Sequence, residues 1–150
     1  MRTYDARPRR RTMAGGTMQG TASNAVVIVE DDASMTQALA RILRLGGLVP
    51  VLYESAEALL GAAARTDAVC LIIDVQLPGI DGFALRRRLA AKGALPPTIF
   101  ITAFDEPEAR AQAAAAGAMF VAKPFSGRLL LQTIRGMRGG TLRNADTPLP

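Results

Sequence analysis

Short apolar runs alternate along this chain with longer stretches in which apolar residues recur every three or four positions. Apolar runs rich in β-branched residues are typical of strands buried in a parallel sheet, whereas the longer period is typical of amphipathic helices. Strands are predicted at Ala25–Glu30, Leu48–Tyr53, Ala68–Asp74, Thr98–Thr102 and Met119–Ala122. Helices are predicted after them: Met35 to Leu43 with a stop at Gly46, Ser55–Arg65, Phe83–Lys92, Asp105 to Gly117, and Ser126–Met137.

Several boundaries carry recognisable local chemistry. Ser55 stands where a hydroxyl can cap the second helix, and Asp105 with Glu108 resembles a capping box at the start of the fourth. Between the third strand and the third helix, residues 78–82 read Pro-Gly-Ile-Asp-Gly, which predicts a loop.

Five strands alternating with five helices predict an α/β protein with a parallel sheet covered on both faces. Because crossover connections are right-handed, few topologies remain, and a flavodoxin-like doubly wound (βα)5 arrangement with strand order 2-1-3-4-5 is expected. In such sheets the functional site lies at the carboxyl ends of the strands.

Length and charge divide the chain into three parts. Its 150 residues suit one domain. Residues 1–24 lack apolar periodicity and hold five arginines against Asp5, so a disordered basic leader is predicted there. Residues 25–138 form the predicted domain and are nearly neutral, while residues 139–150 are expected to be a flexible tail. The net charge of +5 therefore belongs mostly to the leader, and no apolar run approaches the ~20 residues of a membrane span.

The histidine and cysteine content excludes several kinds of chemistry. With no histidine in the sequence, Ser-His-Asp and Cys-His catalysis are excluded, and this sequence cannot be a phosphohistidine donor. The one cysteine, Cys70, lies within an apolar run and is predicted to be a buried small hydrophobe.

Polar residues follow the predicted strands at their carboxyl ends. Glu30, Asp31 and Asp32 follow the first strand, Asp74 ends the third, Thr102 the fourth, and Lys123 follows the fifth. At about 4 Å two carboxylates repel by roughly 4 kcal/mol at an intermediate dielectric, so such a cluster favours a hard divalent cation. All-oxygen ligation with room for water is typical of Mg²⁺, which draws in phosphoryl groups.

Four stretches resemble the receiver domain of two-component response regulators in order and spacing: VVIVEDD, IIDVQLPGIDG, FITA and FVAKPF. The resemblance covers about residues 25–138. It implies that Asp31 binds the metal directly and Glu30 through water, with Asp32 the less critical third acid. It also implies that Asp74 is the phosphorylated aspartate and a metal ligand, and that Gln76 offers its backbone carbonyl to the metal.

The same resemblance assigns roles at the fourth and fifth strands. It implies that Thr102 is the switch hydroxyl and that Ala103 is the small residue beside the phosphoryl site. Phe120 stands at the second switch position, where the family uses an aromatic residue. Lys123 matches the family's active-site lysine, and the family holds the following Pro124 in a cis peptide. For Phe120, simple core packing remains an alternative, and for Asp32 a helix cap is the favoured reading.

The implied function is a phosphorylation-dependent signalling switch that accepts a phosphoryl group onto Asp74 from a sensor histidine kinase or histidine phosphotransfer protein. The reaction would need Mg²⁺ or Mn²⁺, and self-phosphorylation with slow self-dephosphorylation would be its only chemistry, so the chain is not otherwise expected to be an enzyme. A cytoplasmic protein is expected, with no membrane and no nucleic acid bound directly by the ordered domain. The fourth helix, fifth strand and fifth helix would form a homodimer face. The chain is either a stand-alone receiver or the receiver part of a transcriptional regulator.

Two other classes of protein share parts of this pattern. A haloacid-dehalogenase-type phosphatase also uses a strand-end aspartate, a lysine and Mg²⁺, but it needs a second aspartate where this chain has Gln76, and its nucleophile ends the first strand. A degenerate receiver that acts only as a binding module is disfavoured by the complete set of acceptor residues.

Overall fold

The structure, a computed structural model, describes residues 23–62 and 67–138. Five parallel strands form one sheet in the order β2-β1-β3-β4-β5. Along the chain the elements are β1 Ala25–Val29, α1 Ala33–Leu45, β2 Val49–Tyr53, α2 Ala56–Leu60, β3 Cys70–Asp74, α3 Gly82–Ala91, β4 Thr98–Thr102, α4 Pro107–Ala115, β5 Met119–Ala122 and α5 Gly127–Arg138. The predicted flavodoxin-like fold and strand order are confirmed.

Alternate residues of each central strand enter different halves of the core. Val26 and Ile28 of β1 pack in a cluster with α1 and α5, whereas Val27 and Val29 pack in a second cluster with α2, α3 and α4. This follows from the alternation of side chains along a strand, and it explains why β1, β3 and β4 are apolar along their length. In the second cluster, Phe83 of α3 lies 4.6 Å from Phe100 of β4, centroid to centroid.

Two helix predictions were wrong at their boundaries. The helix predicted at Ser55–Arg65 ends at Leu60, because Gly61 is its C-cap, although Ser55 caps its start as expected through a 3.0 Å bond from the Ala58 amide. The capping box predicted for Asp105 and Glu108 does not form. Helix α4 begins at Pro107 with Glu106 as N-cap and no side-chain capping bond, since Asp105 pairs with Arg110 instead.

Smaller differences concern strand ends. β1 stops at Val29, and β3 begins at Cys70 rather than Ala68. The predicted leader and tail, and residues 63–66, lie outside the described residues, apart from Ser23 and Asn24. In the described part of the chain, every helix is too short or too polar to cross a bilayer.

Candidate functional site

The carboxyl ends of three strands bring two acids and a lysine together. Asp74 is the last residue of β3, and Glu30 directly follows β1, which pairs with β3. Lys123 directly follows β5, two strands away on the other side. Because all strands are parallel, these positions share one edge of the sheet, as the sequence predicted.

Lys123 joins the two carboxylates. Its Nζ lies 3.1 Å from Oε2 of Glu30 and 3.1 Å from Oδ2 of Asp74, and it donates a hydrogen bond to each. Glu30 is 1% exposed and Asp74 5% exposed, so both acids are removed from water. Buried charges cost several kcal/mol unless they are paired, and the lysine supplies the pairing.

Burial and crowding show in the pKa values of the cluster. Burial, followed by the neighbouring Asp74, raises the pKa of Glu30 to about 7. Burial alone would lower the pKa of Lys123, but its bonds to Glu30 and Asp74 outweigh that effect and raise it. One lysine therefore does not fully neutralise two buried carboxylates, and the cluster retains capacity for a further positive charge.

The acidic residues also meet the requirements for a divalent cation. Oxygen atoms of Glu30, Asp31 and Asp74 lie within 4.8 Å of one another, and Asp31 is exposed while the other two are buried. Three carboxylate oxygens open to water on one side are the hard donors typical of Mg²⁺ and similar cations. The residues thus fit a divalent metal.

Asp32 caps a helix and is not part of the acidic cluster. Its Oδ1 accepts hydrogen bonds from the amides of Ser34 at 2.9 Å and Met35 at 3.3 Å, so it is the N-cap of α1. Glu30 in turn accepts a bond from the Asp32 amide at 3.2 Å. The favoured reading of Asp32 as a cap is confirmed.

The loop after β3 holds Asp74 in place. The Gln76 amide donates to Oδ1 of Asp74 at 2.9 Å, which leaves the opposite oxygen to Lys123. Gly82 returns to this point and bonds Val75, and a Cβ on Gly82 would lie 2.9 Å from the Val75 Cα and closer still to the Asp74 carbonyl. Sequence reasoning predicted a loop at residues 78–82 and missed this close approach of Gly82 to Asp74.

Thr102 ends β4, the strand that pairs with β3 and Asp74. It is 1% exposed at the end of β4, one residue beyond Ile101, the register partner of Asp74. Its Oγ1 accepts a 3.1 Å bond from the Phe104 amide. Ala103 and Phe104 are exposed, and 52% of Phe104 is accessible.

Phe120 is buried in the second core cluster but is capped by a charge. The Arg110 guanidinium lies 4.9 Å from the ring centroid, and Asp105 binds the same guanidinium, with Nη2 to Oδ2 at 2.9 Å. No sequence signal pointed to this contact, because α4 was read as an alanine-rich helix with an acidic cap.

Two further expectations are met, one at the site and one in the core. The Lys123–Pro124 peptide is cis. Cys70 is buried in the first core cluster, and burial raises the pKa of its thiol to about 12, as suits a packing residue rather than a nucleophile. The structure thus brings Glu30, Asp31, Asp74 and Lys123 together, while the individual roles of Thr102, Phe120 and the Gln76 carbonyl stay predictions.

Comparisons with known proteins agree with this geometry. The family model "Response regulator receiver domain" matches residues 26–135. The chain is 34% identical over 121 residues to nodulation protein W of Bradyrhizobium diazoefficiens, covering 80% of this chain and 53% of that protein. It is 32% identical over 115 residues to the transcriptional regulatory protein FixJ of Azorhizobium caulinodans, covering 76% of this chain and 54% of that protein.

Solved structures share the fold. The crystal structure of FixJ-N superposes with a TM-score of 0.69 at 29% identity, over 79% of this chain and 96% of that one. A response regulator receiver protein from Pseudoalteromonas atlantica superposes with a TM-score of 0.71 at 24% identity, over 77% and 98%. The chain spans about half the length of the curated relatives that it matches first.

Proposed function

The chain belongs to the response regulator receiver family, and from this membership we propose that Asp74 accepts a phosphoryl group from a phosphohistidine of a partner protein. The observation that carries the proposal is the pairing of a buried Asp74 with Lys123 at 3.1 Å, beside two further carboxylates that fit a divalent cation. The partner is a sensor histidine kinase or a histidine phosphotransfer protein.

Asp74 acts as the nucleophile. The oxygen of its carboxylate attacks phosphorus as the P–N bond of the phosphohistidine breaks, and the electron pair of that bond returns to the imidazole nitrogen. Glu30, Asp31, Asp74 and the Gln76 carbonyl would hold Mg²⁺ or Mn²⁺, which supplies positive charge against the phosphoryl oxygens. The amide of Gln76 keeps one Asp74 oxygen fixed.

Lys123 supplies the protein's own positive charge. In the structure its ammonium already contacts Asp74, so little reorganisation is needed when negative charge builds on the phosphoryl group. Phosphorylation then adds roughly 1.5 to 2 negative charges at this edge of the sheet.

The added negative charge should move side chains on β4 and β5. We propose that the Thr102 hydroxyl leaves the Phe104 amide to donate to a phosphoryl oxygen, and that Phe120 turns inward behind it. Thr102 ends β4, and Phe120 lies within the neighbouring β5, where the register pairs are Thr102–Ala122 and Phe100–Phe120. The change would alter the face formed by α4, β5 and α5, through which a homodimer could form.

Self-dephosphorylation should be slow. The side chain of Phe104, 52% exposed and two residues beyond Thr102, flanks the approach of water and has no polar group to orient it. A Phe104→Ala variant is expected to lose its acyl phosphate faster than the parent, which timed intact-mass measurements would show; equal half-lives would refute this.

The process that the phosphorylated domain controls is inferred from its relatives. FixJ is named a transcriptional regulatory protein, and this chain matches about half of it. We propose a cytoplasmic switch that is either a stand-alone receiver or the receiver part of a transcriptional regulator, with no membrane and no nucleic acid contacted directly by residues 25–138.

The decisive experiment is phosphorylation by phosphoramidate, a small P–N donor, with Mg²⁺, followed by intact mass. The parent should gain one phosphoryl group and Asp74→Asn none. Asp81→Asn is the matched control, because Asp81 lies on the same loop but caps α3 through the Ala84 amide. Equal phosphorylation of Asp74→Asn would overturn the proposal, and a chain that gains nothing in any form would be a degenerate receiver.

A further inference from the structure

A second surface lies around the last residue of α1. Leu45 is 81% exposed, the highest value among the exposed large hydrophobic residues in the described part of the chain. Leu52 of the edge strand β2 is 44% exposed beside it. We call the surface formed by Arg41, Arg44, Leu45, Leu52, Arg128 and Arg135 the Leu45 surface.

Two grooves flank Leu45. The groove between α1 and α5 has a volume of about 440 Å³, with Ile42 and Leu131 among its apolar lining. The groove between α1 and β2 has a volume of about 460 Å³ and is lined on its apolar side by Ala40 and Leu52. Each is large enough to take bulky apolar side chains, and Leu45 forms the ridge between them.

Arginines line both grooves without partners of opposite charge. Arg128 and Arg135 border the first groove, and Arg41 and Arg44 border the second. Across residues 23–62 and 67–138, these four side chains form no ion pair or hydrogen bond. Among the residues that the structure describes, no carboxylate lines either groove, although residues 25–138 as a whole are close to neutral.

We propose that the Leu45 surface binds an acidic amphipathic helix of a partner protein. Apolar side chains of that helix would enter the two grooves on either side of Leu45, and its carboxylates would pair with the guanidinium groups, which favour bidentate contacts with carboxylates. The proposal goes beyond phosphorylation of Asp74 and does not depend on it.

The centre of this surface is separated from the carboxylates. Leu45 ends α1, whereas Asp32 caps its start next to the carboxylates. A helix of 13 residues is about 20 Å long, so a partner centred on Leu45 has its main contacts away from Asp74 along α1. Only the groove between α1 and α5 extends toward the start of α5, to Gly127 and Arg128. The surface thus suits a partner that regulates the domain or receives its output.

Charge disfavours three other occupants. A second copy docked through the same surface would bring like-charged arginines together. Residues 1–24 carry five arginines and a single acid, so they would be repelled. Nucleic acid would satisfy the arginines, but its phosphates would leave Leu45 and Leu52 without apolar contacts.

The test uses the full chain and a fluorescent synthetic helix of about 15 residues, with leucines every three or four positions and glutamates between them. A matched peptide with lysine in place of each glutamate, and a duplex DNA of similar length, are the comparison probes. Fluorescence anisotropy should show saturable binding of the acidic peptide, weakening at least fivefold between about 50 and about 500 mM NaCl. The lysine peptide should not bind.

Variants locate the binding. Leu45→Ala should weaken binding at least fivefold, and Arg44→Gln and Arg135→Gln two- to fivefold each. Leu129→Ala, which removes another exposed leucine from α5, and Arg87→Gln, which removes an exposed charge from α3, are the matched controls and should bind like the parent. Leu45→Ala should still gain a phosphoryl group from phosphoramidate, so this proposal can fail independently of the proposed function.

The proposal is overturned if the acidic peptide fails to bind, or if Leu45→Ala binds it as well as the parent does. Tighter binding of duplex DNA than of the peptide would assign the surface to nucleic acid instead. Self-association of the parent that is lost in Leu45→Ala, measured by sedimentation, would assign it to a second copy of the chain. Either result refutes an acidic helix as the occupant.

Discussion

Two acid–base pairings, one buried and one on the surface, use similar groups in different surroundings. Lys123 bridges Glu30 and Asp74, which are 1% and 5% exposed, and it reaches them across 93 and 49 residues of sequence. Arg110 binds Asp105 only five residues away, on the surface, and its guanidinium covers Phe120.

Because of this difference in exposure, breaking the buried pairing should cost more free energy than breaking the exposed one. In the buried pairing, removing one partner leaves a charge without water or counterion, which costs several kcal/mol. In the exposed pairing, water and salt replace a lost partner, and such pairs contribute little. The buried pairing should therefore affect stability and phosphorylation. The exposed pairing should affect only the position of the Arg110 guanidinium over the Phe120 ring.

Replacing the lysine is expected to have the largest effect. In Lys123→Met, the two buried carboxylates lose their shared counterion, so the free energy of unfolding without metal should fall by about 2–3 kcal/mol, less than the full cost because Glu30 can take up a proton. Phosphorylation by phosphoramidate should become too slow to detect. Urea unfolding with EDTA and with Mg²⁺ measures the first effect.

Mg²⁺ should restore part of the lost stability of Lys123→Met, since a cation at Glu30, Asp31 and Asp74 compensates the same charges. Lys92→Met is the matched control, because the Lys92 ammonium bonds only a backbone carbonyl, that of Leu60, on the surface. If both variants unfold at the same urea concentration, the buried pairing of Lys123 with Glu30 and Asp74 stabilises the fold no more than the surface contact of Lys92 does.

The next prediction concerns the backbone beneath Asp74. In Gly82→Ala the new methyl group would overlap the backbone of Asp74 and Val75, so this segment must shift. We expect a loss of about 1–3 kcal/mol of stability, as for overpacked sites, together with slower phosphorylation. Gly136→Ala, where a Cβ meets nothing within 4 Å, is the control: it should leave phosphorylation unchanged and, because alanine favours the helix, raise stability by up to about 1 kcal/mol. Normal phosphorylation of Gly82→Ala would show that the Asp74 position tolerates this shift.

These particular residues show how far sequence reasoning reaches. Convergence of Glu30, Asp74 and Lys123 could be predicted, because strand ends in a parallel sheet lie at one edge and each position is marked by a polar residue after an apolar run. The Arg110–Phe120 contact was not predicted, because the helix start was placed at the capping pattern of Asp105 and Glu108. Pro107, a residue type that favours the first helical position, was the signal for the start that the structure has. Gly82 was recognised as a turn residue, but its approach to Asp74 depends on the path of the whole loop.

The pH dependence of stability separates the two pairings further. Glu30 has its pKa raised from 4.5 to about 7, so between these values the folded chain holds a proton that the unfolded chain releases. Stability without metal should therefore fall as pH rises through this window, at a scale of about 1.4 kcal/mol for each pKa unit. Glu30→Gln should lack this part of the slope, as followed by urea midpoints at pH 5 and pH 7.5 with EDTA.

Added Mg²⁺ should flatten the same slope in the parent, because the cation favours the ionised form of Glu30. Glu57→Gln offers a matched control on an exposed helix, and its slope should equal that of the parent. Identical slopes for the parent and Glu30→Gln would mean that Glu30 stays ionised in the folded chain, and that Lys123 alone neutralises the pair.

The smallest effect is expected for Asp105→Asn. Arg110 holds the pKa of the Asp105 carboxyl below its usual range, but Asp105 is exposed to solvent. Water can therefore replace the lost ion pair, and the melting temperature should not change measurably. What should change is the position of the guanidinium over Phe120, because the acid that anchors it is gone. The Phe120 ring resonances in NMR spectra should shift in Asp105→Asn and not in Glu108→Gln, which removes a neighbouring acid from the first turn of α4. A melting temperature lowered as much as in Lys123→Met would mean that the exposed pairing stabilises the fold as strongly as the buried one. Unshifted Phe120 resonances would show that the ring, rather than Asp105, holds Arg110 in place.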